Sequence, residues 1–349
     1  MSDVPHLRFP EFSGEWEKYT IGDLCEEFKS GKNIKAESIQ EEGVYPVFGG
    51  NGLRGYTDRY NHDGDYVLIG RQGALCGNVR FVTGKTYITE HAIAAKATND
   101  NYTRYLEYLF VRLNLGQFSD QSAQPGLAVN KLLKIETYVP SKAEQLKIAF
   151  LLRLLDERIA TQNKIIEKLE SLIKGIAHRV AGMGKPNVRI AECLECTSST
   201  LQESEVSDLG TYPVYGANGI VGFLDSYNTP DKAIYIVKDG SGVGSVAYVK
   251  GKCSATGTLN ILTAKQDYSL QFLYYLLKVF NFEPYKTGMA IPHIYFKDYG
   301  KAKIFCSSYS KQLRYAKMLE AIDAKLLIEQ KILISLNSHK QYLLRQMFI

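Results

Sequence analysis

The chain has 349 residues, 45% of them hydrophobic, which is enough for two or three domains with proper cores. It has no signal peptide and no apolar stretch long enough to span a membrane, so we expect a cytoplasmic protein. The formal net charge of +5 favours an anionic partner, but the charge is uneven. Residues 143–181 carry 7 basic and 5 acidic side chains and residues 309–349 carry 7 and 3, whereas residues 1–142 carry 16 and 18 and residues 182–308 carry 12 and 11. Charge alone therefore does not identify nucleic acid as the partner.

The second half of the chain repeats the first at a constant offset of 167 in residue number. Residues 45–52 (Tyr-Pro-Val-Phe-Gly-Gly-Asn-Gly) recur at 212–219 as Tyr-Pro-Val-Tyr-Gly-Ala-Asn-Gly, and much later in the chain Asp156 recurs as Asp323. A repeat of this length is a whole domain with its connector. The sequence therefore predicts two similar modules related by an approximate twofold axis, with two similar but unequal targets.

Each module contains signals for both strands and helices. Short alternating or apolar runs bounded by glycine predict strands at 65–69, 79–82, 233–237 and 245–249, and apolar faces at helical spacing predict helices at 102–115 and 269–281. The fold class predicted is α+β, with small twisted sheets and long irregular loops. Loops of this kind carry most ligand contacts.

A long helix is predicted after each module. Apolar residues follow a spacing of four and three from Ile148 to Val180, which is a coiled-coil heptad pattern. Ser141 and Glu144 form a capping-box start and Gly182 a stop, so the helix is about 39 residues long, roughly 58 Å at 1.5 Å per residue. The same seam, moved by the repeat offset, predicts a second helix over 309–349.

One polar residue interrupts the middle of each seam. Gln162 in the first helix corresponds to Glu329 in the second. If the helices run antiparallel about a twofold axis, Gln162 is expected to donate to Glu329 and fix the coiled-coil register. The alternative is that both side chains reach water at the edge of the seam.

A glycine-rich segment in each module has two interpretations. Residues 238–245 (Lys-Asp-Gly-Ser-Gly-Val-Gly-Ser) look like a phosphate-binding loop, but they lie between two predicted strands, whereas a dinucleotide loop opens a helix. The counterpart at 70–77 keeps only some of the glycines. Both segments are therefore predicted to be hairpins whose glycines adopt positive φ.

No catalytic or metal-binding motif is present. Cys193 and Cys196 form a CxxC pair without a second pair or neighbouring histidines, so we expect reduced thiols rather than zinc or redox chemistry. The sequence also lacks a Walker A lysine, an HExxH motif, a nucleophile elbow and an Asp/Asn-Pro-Pro-Tyr/Phe methyltransferase motif. We therefore predict that this chain is not an enzyme.

Several short motifs occur in a definite order along the chain. They are Leu-Arg-Phe-Pro-Glu-Phe at 7–12 with Trp16, Tyr-Pro-Val ahead of Asn-Gly in both modules, Gly-Arg-Gln-Gly at 70–73, and the helix start from Glu144-Gln145 to Leu155-Asp156. This order resembles the specificity subunit of type I restriction-modification systems over essentially the whole chain. The second module departs from the pattern at residues 238–240 and at Lys311, which replaces Glu144.

The resemblance implies two target-recognition domains joined by two long antiparallel coiled-coil helices in a pseudo-twofold arrangement. It divides the chain into recognition domain 1 (1–142), a central spacer helix (143–183), recognition domain 2 (184–308) and a C-terminal spacer helix (309–349). It implies a non-catalytic protein that binds double-stranded DNA at an asymmetric bipartite site and docks two modification (methyltransferase) subunits, with restriction (translocase and endonuclease) subunits completing the complex. S-adenosylmethionine is then bound by the modification subunits and not by this chain.

Polar residues in and after the glycine-rich loops are the candidates for base readout. Arginine can bracket a guanine edge, asparagine and glutamine an adenine edge, and lysine a guanine or a phosphate. The candidates are Asn51, Arg54, Arg71, Gln72 and Gln124 in the first module and Asn218, Lys238, Asp239 and His293 in the second. Two other classes of protein stay open: a non-catalytic tandem scaffold or carbohydrate-binding module on a coiled-coil stalk, and an enzyme with an unrecognised motif.

Overall fold

The computed structural model describes residues 4–120, 126–288 and 291–349. The chain divides into two compact units. Unit 1 comprises Met1–Gln162 and Ile332–Ile349, and unit 2 comprises Asn163–Lys331. Each unit therefore contains one module together with about half of each long helix.

The first module and its long helix contain nine strands and four helices among the described residues. They are β1 (Glu17–Thr20), α1 (Ile21–Leu24), β2 (Cys25–Ser30), β3 (Tyr45–Gly49), β4 (Gly52–Thr57), β5 (Tyr66–Gly70), β6 (Val79–Val82), β7 (Tyr87–Ile88), β8 (Ala92–Ala97), α2 (Thr103–Leu113), α3 (Val129–Leu132), β9 (Glu136–Val139) and α4 (Lys142–Ala181). Short 3-10 turns lie at Ala36–Ser38 and Leu115–Phe118.

The second module follows the same plan. Its elements are β10 (Val188–Arg189), α5 (Ile190–Cys193), β11 (Leu194–Ser198), β12 (Tyr212–Gly216), β13 (Gly219–Leu224), β14 (Ala233–Val237), β15 (Val246–Val249), β16 (Ser254–Ala255), β17 (Leu259–Ala264), α6 (Leu270–Lys278), α7 (Phe296–Tyr299), β18 (Lys303–Ile304) and α8 (Tyr309–Gln346). Its 3-10 turns lie at Glu203–Glu205 and Glu283–Tyr285.

Each module has three small sheets with matching strand orders. The orders are β2-β8-β5-β6, β4-β3-β7 and β1-β9 in unit 1, and β11-β17-β14-β15, β13-β12-β16 and β10-β18 in unit 2. Neighbouring strands are antiparallel except β3 with β7 and β12 with β16, which are parallel. Most elements from β3 to α4 begin at the repeat offset from their counterparts in the second half, as β3 and β12 do at Tyr45 and Tyr212. The predicted α+β modules and their repeat are confirmed.

The central strand of each larger sheet is buried on both faces. β5 and β14 have no exposed residue, because α2 or α6 packs on one face of the sheet and the smaller three-stranded sheet lies against the other. A strand covered on both faces is apolar without alternation, which explains why β14 reads Ala-Ile-Tyr-Ile-Val. The sheets therefore fix the positions of the loops at their ends.

The long helices run antiparallel within each unit. In unit 1, Ile148 and Leu152 from the beginning of α4 share a core with Leu344 and Met347 from the end of α8. In unit 2 the situation is reversed, with Ile173 and Ala177 from the end of α4 packed with Leu319 near the beginning of α8. The predicted helices are confirmed, and no helix in the described part of the chain is both long and apolar enough to cross a membrane.

The two polar seam residues are both buried. Gln162 is 1% exposed and Glu329 is 6% exposed, so the alternative in which they reach water is wrong. Glu329 forms an ion pair with Lys325 one turn earlier, at 2.5 Å. The two residues belong to different units, and their direct pairing stays a prediction.

Candidate nucleic-acid interface

Two glycine-rich loops occupy equivalent places in the two units. Loop 1 (residues 70–78) joins β5 to β6, and loop 2 (residues 237–245) joins β14 to β15, in both cases between antiparallel strands. The glycines at positive φ are Gly73 (84°) and Gly77 (85°) in loop 1 and Gly240 (93°) and Gly244 (90°) in loop 2. Glycine adopts this conformation without steric cost. The loops are therefore hairpins, as predicted, and neither opens a helix as a dinucleotide loop does.

The same backbone hydrogen bonds hold both loops. The second residue of each loop donates its N–H to the start of a neighbouring strand and accepts from a later segment. The bonds are Arg71 N to His91 O and Leu127 N to Arg71 O in unit 1, and Lys238 N to Thr258 O and Ile294 N to Lys238 O in unit 2, all 2.9 Å long. Each pair of bonds is related by the repeat offset. One backbone frame thus presents different side chains in the two units, Arg71-Gln72 in loop 1 and Lys238-Asp239 in loop 2.

Loop 1 forms one wall of a polar cleft of about 290 Å³, called cleft 1 here. Its lining residues are Gly49, Gly50, Asn51, Arg54, Gln72, Gly73 and His91. Three predicted readout residues, Asn51, Arg54 and Gln72, are therefore brought together by the β3–β4 turn and loop 1. Arg71 is half-buried at the start of the same loop, and Gln124 lies outside the described residues.

Two further side chains of unit 1 were missed in the sequence. The His91 ring lines cleft 1, with Nδ1 3.1 Å from Gln72 Oε1 and Nε2 3.2 Å from Glu90 Oε1. The exposed Arg80 guanidinium lies over the β3–β4 turn, where a Cβ placed on Gly52 would meet Nη2 at 3.1 Å. Gly52 has φ +104°, which glycine adopts without steric cost. The Asn51-Gly52 pair is a turn signal in the sequence, but nothing local indicates that Arg80 of β6 lies over that turn.

Loop 2 lines a cleft of about 350 Å³, called cleft 2 here. Its lining residues are Cys196, Ser198, Lys238, Asp239, Asn260, Ile294, Tyr295, Phe296 and Lys297. Lys238 and Asp239 are the predicted residues that it contains. His293 joins them indirectly, because its Nδ1 lies 2.7 Å from Asp239 Oδ1. Asn218 lies elsewhere, in the exposed turn between β12 and β13.

The clefts combine cations with neutral polar groups. Arg54 contributes a cation to cleft 1, and Lys238 and Lys297 contribute two to cleft 2, where they can meet phosphates or guanine edges. Burial raises the pKa of the Cys196 thiol to about 11, so this group stays neutral and weakly nucleophilic. The described residues contain no cluster of three or more metal-ligating side chains. Both clefts offer cations and neutral hydrogen-bonding groups to a ligand.

The chain matches a known family along most of its length. The family model described as the type I restriction modification DNA specificity domain matches twice, at residues 13–171 and 187–338. The EcoprrI specificity subunit of Escherichia coli is 41% identical over 154 residues, which are 43% of this chain and 38% of that protein. A Mycoplasma genitalium protein assigned as a type I specificity subunit is 25% identical over 95% of this chain and 94% of its own length.

Solved structures show the same fold. The crystal structure of a type I restriction-modification S subunit from M. genitalium matches with a TM-score of 0.76 at 22% identity, over 99% of both chains. A chain from a structure on complex assembly and conformational transition of the type I system matches with a TM-score of 0.54 at 13% identity, over 96% of this chain and 98% of that one. These structural matches confirm the fold class, and the two matches of the family model confirm the resemblance.

Proposed function

This chain belongs to the type I restriction-modification DNA specificity family, and on this premise we propose that it is a non-catalytic subunit that reads an asymmetric bipartite DNA sequence. The observation that carries the proposal is the backbone frame of loops 1 and 2, which is repeated bond for bond while its side chains differ. A frame that places different donors and acceptors at equivalent points suits two half-sites of different sequence.

The side chains of each cleft define the chemistry of readout. Arg54 and Arg71 offer paired donors for guanine O6 and N7, while Asn51 and Gln72 offer the donor and acceptor pair that fits adenine. In unit 2, Lys238 can donate to guanine or a phosphate, and the Asp239 carboxylate can accept from the cytosine amino group. We assign one half-site to each unit. In unit 2, His293 adds to cleft 2 through Asp239, and Asn218 adds a polar side chain from the separate turn between β12 and β13.

The long helices and the partners complete the proposal. We keep the division into recognition domain 1 (1–142), a central spacer helix (143–183), recognition domain 2 (184–308) and a C-terminal spacer helix (309–349). The repeat offers two similar surfaces, which suits two copies of one partner. We assign these surfaces to two modification subunits, which would carry the methyl-transfer chemistry and S-adenosylmethionine, with restriction subunits added in the full complex.

The test is to map methylated DNA motifs in cells that carry the modification subunits, with and without this chain. We expect a bipartite motif that appears only with the chain. Arg71→Ala should relax one half-site, and its counterpart Lys238→Ala should relax only the other, each by about 1 to 3 kcal/mol of base discrimination if the side chain contacts a base.

Each outcome identifies a different failure. A motif that is present without the chain would contradict the proposed function. A loss of affinity that is equal on all DNA sequences would show that the substituted residue contacts phosphate, because phosphate contacts position the protein without reading sequence.

A further inference from the structure

One loop position is held by a histidine in both units. Gln72 and Asp239 are the third residues of loops 1 and 2 and correspond at the repeat offset. The Nδ1 atom of His91 lies 3.1 Å from Gln72 Oε1, and the Nδ1 atom of His293 lies 2.7 Å from Asp239 Oδ1. Both partners are oxygen acceptors, so each of these bonds requires a proton on Nδ1. In His91 the other ring nitrogen, Nε2, also faces an acceptor, Glu90 Oε1, at 3.2 Å.

The two histidines come from different places in the fold. His91 follows β7, and its counterpart in unit 2 is Thr258, whose hydroxyl pairs with Thr256 at 2.8 Å. His293 lies in the segment before α7, and its counterpart in unit 1 is Gly126. The repeat does not account for this arrangement, because each unit brings a histidine to the same loop position from a different segment.

The backbone around the loop position is the same in both units. Gln72 forms a bridge with Gly126, and Asp239 forms the equivalent bridge with His293. In unit 2 the histidine is itself the residue bridged to the loop. In unit 1 the histidine lies just before β8, where its carbonyl accepts from the N–H of Arg71. The shared feature is the hydrogen bond to the side chain at position 72 or 239.

Stability does not explain these bonds. The side chains of Asp239 and His293 are each 35% exposed, and His91 is 45% exposed. Hydrogen bonds and ion pairs at such positions contribute little to folding, since water competes for the same groups. Their effect is to restrict the rotamers of a side chain that faces a cleft. Ordering such a side chain in advance reduces the entropy lost when DNA binds.

We propose that His91 and His293 are positioning residues for base readout, each acting through the loop side chain that it holds. This inference rests on the proposed function. His91 holds the side-chain amide of Gln72 in one orientation, so that the donor and acceptor of the amide face an adenine edge. His293 binds Oδ1 of Asp239, so that Oδ2 is presented to the amino group of a cytosine. The nitrogen that matters is Nδ1 in both residues.

Two substitutions at each histidine separate the loss of the hydrogen-bond donor from the loss of the ring. Asparagine places its amide nitrogen near the position of histidine Nδ1, and glutamine places it near Nε2. His91→Asn and His293→Asn therefore keep the donor to the loop residue, while His91→Gln and His293→Gln remove it. At each position the asparagine variant is the matched control for the glutamine variant.

The experiment uses the complex of the full chain with its modification subunits. The bipartite motif of the unsubstituted complex is mapped first, and binding is then measured on duplexes that carry single base changes in either half-site. The readout is discrimination, the ratio of Kd on the changed duplex to Kd on the unchanged one. His91→Gln should lower discrimination about tenfold at one base pair of one half-site, and His293→Gln should do the same in the other. Both asparagine variants should stay close to the unsubstituted complex.

Three results would overturn the inference. Discrimination that is unchanged in the glutamine variants would show that the histidines do not position the readout residues. Equal losses in the asparagine and glutamine variants, or losses in both half-sites at once, would show a general structural role. If the unsubstituted complex gives no bipartite motif, the proposed function itself fails, which distinguishes that failure from failure of the histidine assignment.

Discussion

Away from loops 1 and 2, unit 1 and unit 2 share several polar contacts. Tyr108 Oη donates to Asp156 Oδ2 at 2.8 Å in unit 1, and Tyr275 Oη donates to Asp323 Oδ2 at 2.6 Å in unit 2. These groups tie the helix of each module to a long helix. Burial raises the pKa of both tyrosines, and the neighbouring carboxylate adds to this effect, so both hydroxyls stay protonated donors.

A second shared contact involves a buried glutamine at the start of each long helix. Gln145 Oε1 accepts from the N–H of Tyr102, and Gln312 Oε1 accepts from the N–H of Ser269, at the N-terminus of α2 and α6 respectively. Buried polar groups must be paired, and few side chains can satisfy a given pair. The contrast with loops 1 and 2 shows that buried polar groups must keep their hydrogen-bond partners, whereas exposed loop positions can carry different side chains.

The units differ at one buried ion pair that only unit 1 contains among the described residues. Glu144, 1% exposed, accepts two hydrogen bonds of 2.8 Å from the Arg8 guanidinium, which also donates to the carbonyl of Gly14. The residue equivalent to Glu144 is Lys311, which is exposed in unit 2. The N-terminal segment is therefore held to the start of α4 by a contact outside the repeated frame.

The largest expected effect is that of Arg8→Ala. Removing the guanidinium leaves a buried carboxylate without its cation, which costs about 3 to 5 kcal/mol. We expect the free energy of unfolding of unit 1 to fall by that amount, measured as a shift of its urea transition. Lys311→Ala, the control in unit 2, should change stability by less than about 0.5 kcal/mol.

The double variant Arg8→Ala with Glu144→Gln sharpens this prediction. It removes the charge along with its partner, so part of the lost stability should return. A cost below about 1 kcal/mol for Arg8→Ala alone would show that Glu144 is solvated after the substitution and that the ion pair adds little to the stability of unit 1.

A smaller effect tests whether equivalent buried hydrogen bonds contribute equally to the stability of the two units. The side chain of Asn61 spans Ile88, donating to its carbonyl at 2.9 Å and accepting from its N–H at 2.8 Å. Asn228 does the same with Ala255, at 3.0 and 2.9 Å. Because Ile88 and Ala255 are fully buried, their N–H groups lose this acceptor when the asparagine becomes alanine. The Ile88 carbonyl keeps one partner, the N–H of Lys32 at 3.0 Å.

We expect Asn61→Ala and Asn228→Ala to destabilise β7 and β16 by similar amounts, about 2 kcal/mol each. Native-state hydrogen exchange measures this locally, as faster exchange of the amides of Ile88 and Ala255. A clear difference between the two variants would break the comparison, since it would mean that one unit has a substitute for the asparagine.

Much of this frame was predictable because the repeat carries its information twice. The strand predicted at 233–237 has those bounds in β14, and the helix predicted at 102–115 is α2 at Thr103–Leu113. Apolar runs and heptads are local signals, and agreement between the halves confirmed each one.

The candidate interface was predictable only in part. Asn51, Arg54 and Gln72 were identified as polar loop residues, and the structure brings them to one cleft. His91 was missed because its place there depends on a backbone bond from Arg71, which belongs to a different loop. The parallel pairing of β3 with β7 was missed for the same reason. Neither contact is indicated by the periodicity of the sequence, because both depend on the path of the loops between the contacting residues.

The smallest expected effect concerns a buried histidine in unit 1 whose counterpart is a threonine. His62 is buried, with Nε2 3.1 Å from Glu27 Oε1. Burial lowers the pKa of His62, and Glu27 opposes this only in part. In unit 2 the equivalent Thr229 accepts a hydrogen bond of 2.6 Å from the Tyr235 hydroxyl. Of these two side chains, only His62 can take up a proton as the pH falls.

The sign of the pH dependence follows from the lowered pKa. In the unfolded chain histidine titrates near its ordinary pKa of about 6.5, whereas folded His62 stays neutral to lower pH. The unfolded state therefore binds more protons as the pH falls below about 6.5, and unit 1 loses stability until the folded pKa is reached. The slope cannot exceed one proton, about 1.4 kcal/mol per pH unit. Urea unfolding between pH 7 and 5 should show this loss, and His62→Thr, which borrows the residue of unit 2, should flatten it. An equal slope in the variant would assign the pH dependence to other groups and remove this difference between the units.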